Sequence, residues 1–526
     1  MGYYKSIREY VEALDAAHKL FRIKKELRKE TEIMPMVKWA YRGLAEKERR
    51  AFLFENVTDV KGKKYEGSVL VGAHGGSRDI YAMAMNCAPE EIISKWNHVL
   101  RHPIQPRLVS SGPVQEEIHI GSSLLEHGGL DEFPIPISTP GFDNAPNISG
   151  GVWISRNPET GAANAAVYRG MVKSQLRLGC FARFPQHLAV NLNMYRQKGI
   201  PMPVALVIGA TPNIGLLSVA KIPYEVDEMT VAGGIAGEPV EMVKCQTMDI
   251  EVLAAAEIVL EGEIPIDIME SEAPFGEFTG YMGMETQSQV FNIKCITHRR
   301  RPVLTVFQGG FPPSESSVTI TFHAEAELYH FLKKDLGIQS VVDVALRQEI
   351  YPIVVLSIKR GTRRDHVWKA LNGANAYDNR YGKIIIALDD DIDPRDADSV
   401  LWGLSYGMQP DSDIQISGRN KLSLADPSTA PPDQHGTLHL TSSMIIDATR
   451  KWPYPPVSLP KKEIMDRARQ IWEEVGLPAL TPKTPWYGYS LGHWTKENEK
   501  EAELALKGEH YQTGEKHAKN KTKPEM

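Results

Sequence analysis

Four cysteines in 526 residues, Cys87, Cys180, Cys245 and Cys295, stand far apart, and no two form a Cys-x-x-Cys pair. That scarcity excludes a zinc knuckle and a disulfide framework and fits a reducing cytoplasm. No run of about eighteen apolar residues occurs, so no transmembrane helix is expected. The start, Met1-Gly2-Tyr3-Tyr4-Lys5, lacks the apolar stretch of a signal peptide, and cytoplasmic localisation is the expectation. An excess of basic charge is also missing. Lys and Arg number 60 against 66 Asp and Glu, for a net charge of −6, which argues against nucleic acid as a partner. Neither GxGxxG after a strand nor GxxxxGK followed by Ser or Thr is present, so a bound nucleotide must be held in another way.

What remains is ordinary for a globular chain: 42% hydrophobic and 24% charged residues. A chain of this length exceeds one core and predicts two or three domains. Residues 1–115 alternate helix and strand signals and read as an N-terminal α/β domain. A helix and a following strand fall in 4–30, a helix in 35–50, strands at Phe52–Phe54 and Ser68–Val71, and a helix opens at Pro89. Residues 116–318 hold short β-like runs broken by Gly and Pro: Gly151–Ser155, Leu188–Leu192, Val204–Ile208 and Pro302–Phe307. Such a series suggests a barrel or sandwich. Residues 319–507 begin with a linking helix, Thr321–Leu336, and continue with a strand, a helix and a strand, an order that implies a parallel pair. Residues 508–526 are charged and nearly free of apolar side chains, and disorder is expected there.

The segment Glu270-Ser271-Glu272-Ala273-Pro274-Phe275-Gly276-Glu277-Phe278 sets three carboxylates around a Pro and a Gly, so the chain must turn. A turn can aim Glu272 and Glu277 at one point, and two close carboxylates raise the pKa of at least one. A solvated acidic loop is the alternative. Upstream, Asn164 and Arg169 are the polar residues of an otherwise small, apolar stretch. With His187 and Glu257, Asn164 completes an amide oxygen, an imidazole and a carboxylate. That mixed set suits Mg²⁺ or Mn²⁺ better than zinc, although spacing alone does not bring the three together.

At these residues the chain resembles the UbiD family of prenylated-flavin-dependent decarboxylases. The resemblance lies in Asn164 with Arg169 in NxxxxRGM, Pro185-Gln186-His187, Glu257 in the AExVLEG stretch, and Glu272-Ala-Pro-Phe-Gly-Glu277. It extends to Tyr4–Tyr10, Gly112–Glu116, Lys383–Asp391 and Met444–Thr449, in order along the chain. The resemblance implies a central split β-barrel that binds prenylated FMN and a C-terminal α/β domain that forms homodimers or homohexamers. It implies that Asn164, His187 and Glu257 hold a divalent metal, Mn²⁺ or Mg²⁺, with K⁺ nearby. Ala165, Ala166, Val167, Gln186 and Lys383 would join Arg169 around the cofactor, Lys383 either pairing with its phosphate or serving as a plain strand-start lysine. Arg169, Glu272 and Glu277 would form the Glu-Arg-Glu network beside the reactive flavin carbon.

The implied activity is reversible decarboxylation of an aromatic carboxylic acid. Arg169 would orient the carboxylate and Glu277 donate the proton, with a flavin prenyltransferase as cofactor supplier. The alternatives are a ubiquinone-pathway polyprenyl-hydroxybenzoate decarboxylase and a non-catalytic subunit of a multi-protein aryl carboxylase. The chain departs from the family at Thr139–Asn147, which bears on substrate placement, and at Arg183, where relatives acting on apolar acrylic acids carry an apolar residue. Arg183 and Phe278 are expected to border the substrate, Arg183 reading a polar or anionic group unless it points outward.

Overall fold

The computed structural model describes residues 2–347, 353–377, 382–422, 426–429 and 440–519. The first helix, Ile7–Ala16, starts where the Ser6 side chain accepts a hydrogen bond from the Glu9 amide, and it buries Ile7, Tyr10, Val11 and Leu14. Those positions form one stripe of a 3.6-residue repeat, which seats the helix on the sheet beside it. That sheet runs Leu20–Ile23, Ala51–Phe54, Ser68–Val71, Val303–Val306. Its last strand arrives from far along the chain and pairs in parallel with Ser68–Val71. A strand expected in the central domain thus completes the N-terminal sheet.

Among the described residues the central sheet has ten strands. Eight follow one path: Ala163–Val167, Val152–Arg156, Met202–Ile208, Ile258–Ile264, Thr286–His298, Arg177–Cys180, Gly170–Ser174 and Asn147–Ile148. The first and seventh of these are sequence neighbours, separated only by Tyr168 and Arg169. Laid flat, six strand spacings would hold them roughly 29 Å apart. Three peptide links reach only about 11 Å. The sheet must therefore curl until its ends nearly meet, and Arg169 sits at the seam.

One run read as β-like is helical. Leu188, Leu192 and Tyr195 are buried on the helix His187–Lys198, a repeat of four and three that a five-residue window cannot show. Gly199, at φ 70, closes it in the left-handed conformation.

The linking helix runs Glu315–His330, earlier than expected because Ser314 caps it by accepting from the Ser317 amide. A wider turn at Phe331–Asp335 follows. The C-terminal sheet runs Val341–Leu346, Ile353–Ile358, Ile384–Asp389, Leu440–Asp447, Ile414–Leu422. The helix Arg364–Tyr377 joins the parallel pair Ile353–Ile358 and Ile384–Asp389, as the strand-helix-strand order predicts. Part of the expected disordered tail is ordered. His510–Ala518 is a helix beside Lys496–Leu506, held by Lys516 to Glu497 and Glu501 and by His517 to Glu501. Charge complementarity replaces the missing apolar face there, while residues 520–526 lie outside the described ones. Among the described residues no helix is long and apolar enough to cross a membrane.

Candidate active site

Arg169 leaves the seam with its guanidinium over the Phe181 ring, 4.0 Å from the centroid. Its Nε donates to Glu272 Oε1 at 2.5 Å, and its Nη1 donates to Glu277 Oε1 at 2.6 Å. Glu272 closes the strand Met269–Glu272, which pairs with Thr286–His298. It is 0% exposed, and its second oxygen is buried without a hydrogen-bond partner. Glu277 lies in the expected turn: its amide donates to the Tyr281 carbonyl at 2.8 Å, and its carbonyl accepts from Gly280 at 3.0 Å. Gly280 has φ 95, a conformation that favours glycine. Burial pushes the Glu277 carboxyl above its ordinary value; Arg169 pulls it back and Glu272 pushes it up again. The three residues expected at one point meet there, and one of them is biased toward holding a proton.

Asn164 lies in the strand Ala163–Val167, and both polar atoms of its buried amide lack a partner. His187 opens the helix His187–Lys198, and its Nδ1 is 4.0 Å from Glu228 Oε1. Glu228 opens the helix Glu228–Ala236, and its Oε2 accepts from the Ala165 amide at 3.0 Å. Burial raises the Glu228 carboxyl to about 8, opposed by two backbone amides and reinforced by Asp227. Burial, with Lys221 nearby, lowers the His187 imidazole and so favours its neutral, ligating form. An orphaned amide, a neutral imidazole and a carboxylate short of positive charge are what a divalent ion bound through oxygen and nitrogen needs.

Glu257 is not part of this set. Its oxygens accept from Arg8 Nε at 2.9 Å and Nη2 at 2.7 Å, from Arg299 Nη1 at 3.2 Å and from the Val303 amide at 3.0 Å. Two guanidiniums and an amide leave this fully buried carboxylate nothing to offer a metal, and it ties the first helix to the central sheet. Glu228 occupies the place expected of it. The sequence did not single it out: Glu225, Asp227 and Glu228 crowd together before the uncharged run Met229–Ala236, and only the folded helix shows which of them is buried beside His187.

The other expected residues divide. The outward amides of Ala165 and Val167 are taken by Glu228 and by the Ser218 carbonyl at 2.9 Å, which cover this edge strand, while Ala166 is paired with Trp153. Gln186 precedes the His187 helix, and its Oε1 accepts from the Arg183 amide at 2.7 Å, shaping the turn. Lys383 is held elsewhere, its Nζ donating to Asp426 at 2.6 Å and Ser428 at 2.7 Å. A carboxylate far along the chain has captured it, and Lys221 is a cation near His187. Arg183 is exposed, donates to the Thr286 hydroxyl, and stacks on the Phe181 ring at 4.8 Å, so one aromatic ring carries both Arg169 and Arg183. Phe278 packs against the apolar cluster of the linking helix and C-terminal sheet, which includes Ala324 and Leu328.

Comparison with known proteins bears on this arrangement. The family model described as the 3-octaprenyl-4-hydroxybenzoate carboxy-lyase Rift-related domain (UbiD) matches residues 107–312. The corresponding N-terminal and C-terminal domain models match residues 11–100 and 317–448. A phenolic acid decarboxylase of Sedimentibacter hydroxybenzoicus is 29% identical over 492 residues, covering 90% of this chain and 97% of the relative. Among solved structures, the UbiD-class enzyme HmfF from Pelotomaculum thermopropionicum, in an evolved dimeric form in complex with prFMN, is 28% identical with a TM-score of 0.74. The match covers 87% of this chain and 97% of that one. The vanillic acid decarboxylase of S. hydroxybenzoicus, in open form, is 25% identical with a TM-score of 0.75, covering 90% and 99%.

Proposed function

Because the chain belongs to the UbiD family of carboxy-lyases, we propose that it interconverts an aromatic carboxylic acid and the decarboxylated arene plus CO₂ with the residues around Arg169. The observation that carries this reading is Arg169 held between Glu272 and Glu277 at the seam, with Asn164, His187 and Glu228 grouped on the adjoining elements. The curled central sheet is the split barrel that would hold prenylated FMN. That cofactor, when bound, supplies an electron sink for the pair left on an sp² carbon as CO₂ departs, which no side chain can delocalise. Asn164, His187 and Glu228 would hold Mn²⁺ or Mg²⁺ against its phosphate, with Lys221 adding positive charge nearby. A K⁺ neighbour follows from the family resemblance alone, and no residue is assigned to it.

Each residue of the network has a distinct task. Arg169 spends its Nε and one Nη1 bond on the two glutamates, which leaves its Nη2 protons to hold the substrate carboxylate. Glu272, deeply buried, fixes the guanidinium and keeps negative charge beside Glu277. Glu277 delivers its proton to the carbon that lost CO₂ and takes one back in the reverse direction. Arg183, one ring away across Phe181, faces substituents on the aryl ring and favours polar or anionic ones. Exposed Trp402, Tyr406 and Trp452 lie together on the C-terminal domain, where Tyr454 donates to the Tyr406 carbonyl at 2.7 Å, and this surface suits self-association into a homo-oligomer. A cytoplasmic setting, with a flavin prenyltransferase to supply the cofactor, completes the reading.

The test is turnover of an aryl carboxylate panel by anaerobic protein co-expressed with a flavin prenyltransferase. Stoichiometric arene and CO₂ from at least one hydroxylated or otherwise polar-substituted acid is expected. Flavin-loaded protein that converts none of them, alone or with added CO₂, contradicts the reading.

A further inference from the structure

Away from Arg169, a second polar cluster lies where the strand Glu117–Ile120 pairs with the end of Thr286–His298. His119 stands opposite Ile296 and Glu117 opposite His298, so His119 and His298 are diagonal neighbours on one face. Their Nε2 atoms are 3.1 Å apart, and Glu132 Oε1 is 3.4 Å from the His298 Nε2. One ligand atom from each of the three lies within 4.8 Å of the other two. His119 is 6% exposed and His298 is 4% exposed.

The cluster crowds its ligand-type atoms together and leaves one buried nitrogen unsatisfied. His298 Nδ1 is 2.9 Å from the Arg299 carbonyl, a contact that requires the proton on Nδ1. The His298 Nε2 then faces both the His119 Nε2 and the Glu132 carboxylate, so three ligand-type atoms converge at one point. His119 has a second ring nitrogen, Nδ1. That atom is buried and has no hydrogen-bond partner.

A metal ion fits this convergence. Two ligands bound at about 2.0–2.1 Å to a tetrahedral ion are separated by roughly 3.3 Å, and the two measured spacings bracket that edge. The His298 Nδ1–H held by a backbone carbonyl is the outer hydrogen bond that metal-bound imidazoles usually make. With its Nε2 on the metal, His119 would carry the proton on Nδ1 and become a donor. Glu126 and His127 stand beside the same ring, one ligand atom of each lying within 4.8 Å of a ring nitrogen of His119.

The structure assigns to His119, His298 and Glu132 a binding site for a transition-metal ion of the zinc class, separate from the Asn164 set. Two imidazoles and one carboxylate leave a fourth position for water. The ion clamps the segment around Glu132 onto the strand that continues into Arg299, one of the two guanidiniums that hold Glu257.

The experiment is zinc titration of the full-length, chelator-stripped protein against a colorimetric zinc indicator, with metal content checked by elemental analysis. Wild type, Glu228→Gln, Glu132→Gln and His298→Gln are compared, each with its folding verified by circular dichroism. Glu228→Gln, which disables the Asn164 set, should still bind one zinc per chain and gain thermal stability from it. Glu132→Gln and His298→Gln should weaken that zinc by about 100-fold or more. Cobalt loaded into Glu228→Gln should give the visible absorption of a tetrahedral ion. A Glu228→Gln protein that takes up no zinc, or a folded Glu132→Gln protein that binds it as wild type does, overturns the assignment and leaves a hydrogen-bonded histidine pair.

Discussion

Arg169 and Glu277 share a hydrogen bond of 2.6 Å, yet the Glu277 carboxyl titrates above its ordinary value because burial outweighs the guanidinium. Glu272 on the other side of Arg169 adds to the upward push. The acid form is the one that donates, so decarboxylation should decline as pH rises through this elevated pKa and persist below it. The check is a pH profile of kcat against a substrate whose own ionisation lies outside the range.

Glu277→Gln should retain flavin and metal while losing decarboxylation by about 10²- to 10⁴-fold, the span of a positioned general acid. Arg169→Ala should be as damaging and also raise KM, because the carboxylate loses its anchor. Absorbance of bound flavin separates either effect from loss of the cofactor.

Metal binding at Asn164, His187 and Glu228 should release a proton. The Glu228 carboxyl, raised to about 8 by burial, is protonated at neutral pH in the metal-free protein and must ionise to ligate. Manganese affinity should therefore climb by about tenfold per pH unit up to about pH 8 and flatten above it. Calorimetry in buffers of different ionisation enthalpy measures the proton count directly. Since the folded pKa exceeds the unfolded one, this carboxyl also makes the metal-free protein less stable as pH rises toward 8. His187→Ala should lose metal and flavin together.

Glu257→Gln should leave metal binding intact and destabilise the fold, since it unbalances a buried carboxylate shared by Arg8 and Arg299. Breaking such a buried pair costs about 3–5 kcal/mol. Denaturant unfolding gives the stability change, and manganese titration of the same protein shows whether the two sites are independent.

Arg183→Leu should shift preference among aryl acids away from polar or anionic ring substituents, with kcat/KM falling by about tenfold for those and little for unsubstituted acids. An unchanged ranking would place Arg183 outside the substrate's reach.

Local chemistry made the acidic turn legible: Pro274 and Gly276 force a bend, and Glu272 and Glu277 do converge on Arg169. The alternation of helix and strand in both flanking domains was legible for the same reason, as was the parallel pair around Arg364–Tyr377. Long-range partnership was not. Glu257 sits in an apolar run as a buried ligand should, but Arg8, on the first helix, claims it. Lys383 was lost to Asp426, a residue more than forty positions away. Nor could a local reading send Val303–Val306 into the N-terminal sheet, because parallel pairing depends on where the intervening chain returns. The curl of the central sheet was hidden until its strand order was known; once it is, the two residues between Val167 and Gly170 require it.

The central claim is that Arg169 holds the carboxylate while Glu277 serves only the proton step. Exchange of isotopically labelled CO₂ into an aryl acid substrate tests it most directly, because exchange requires the carbon–carbon bond to break and reform but no proton to be delivered. Wild-type protein, anaerobic and flavin-loaded, should label the acid. Glu277→Gln should still label it while releasing almost no arene, and Arg169→Ala should do neither. Net decarboxylation by Glu277→Gln at the wild-type rate, or exchange that survives Arg169→Ala, would contradict the account.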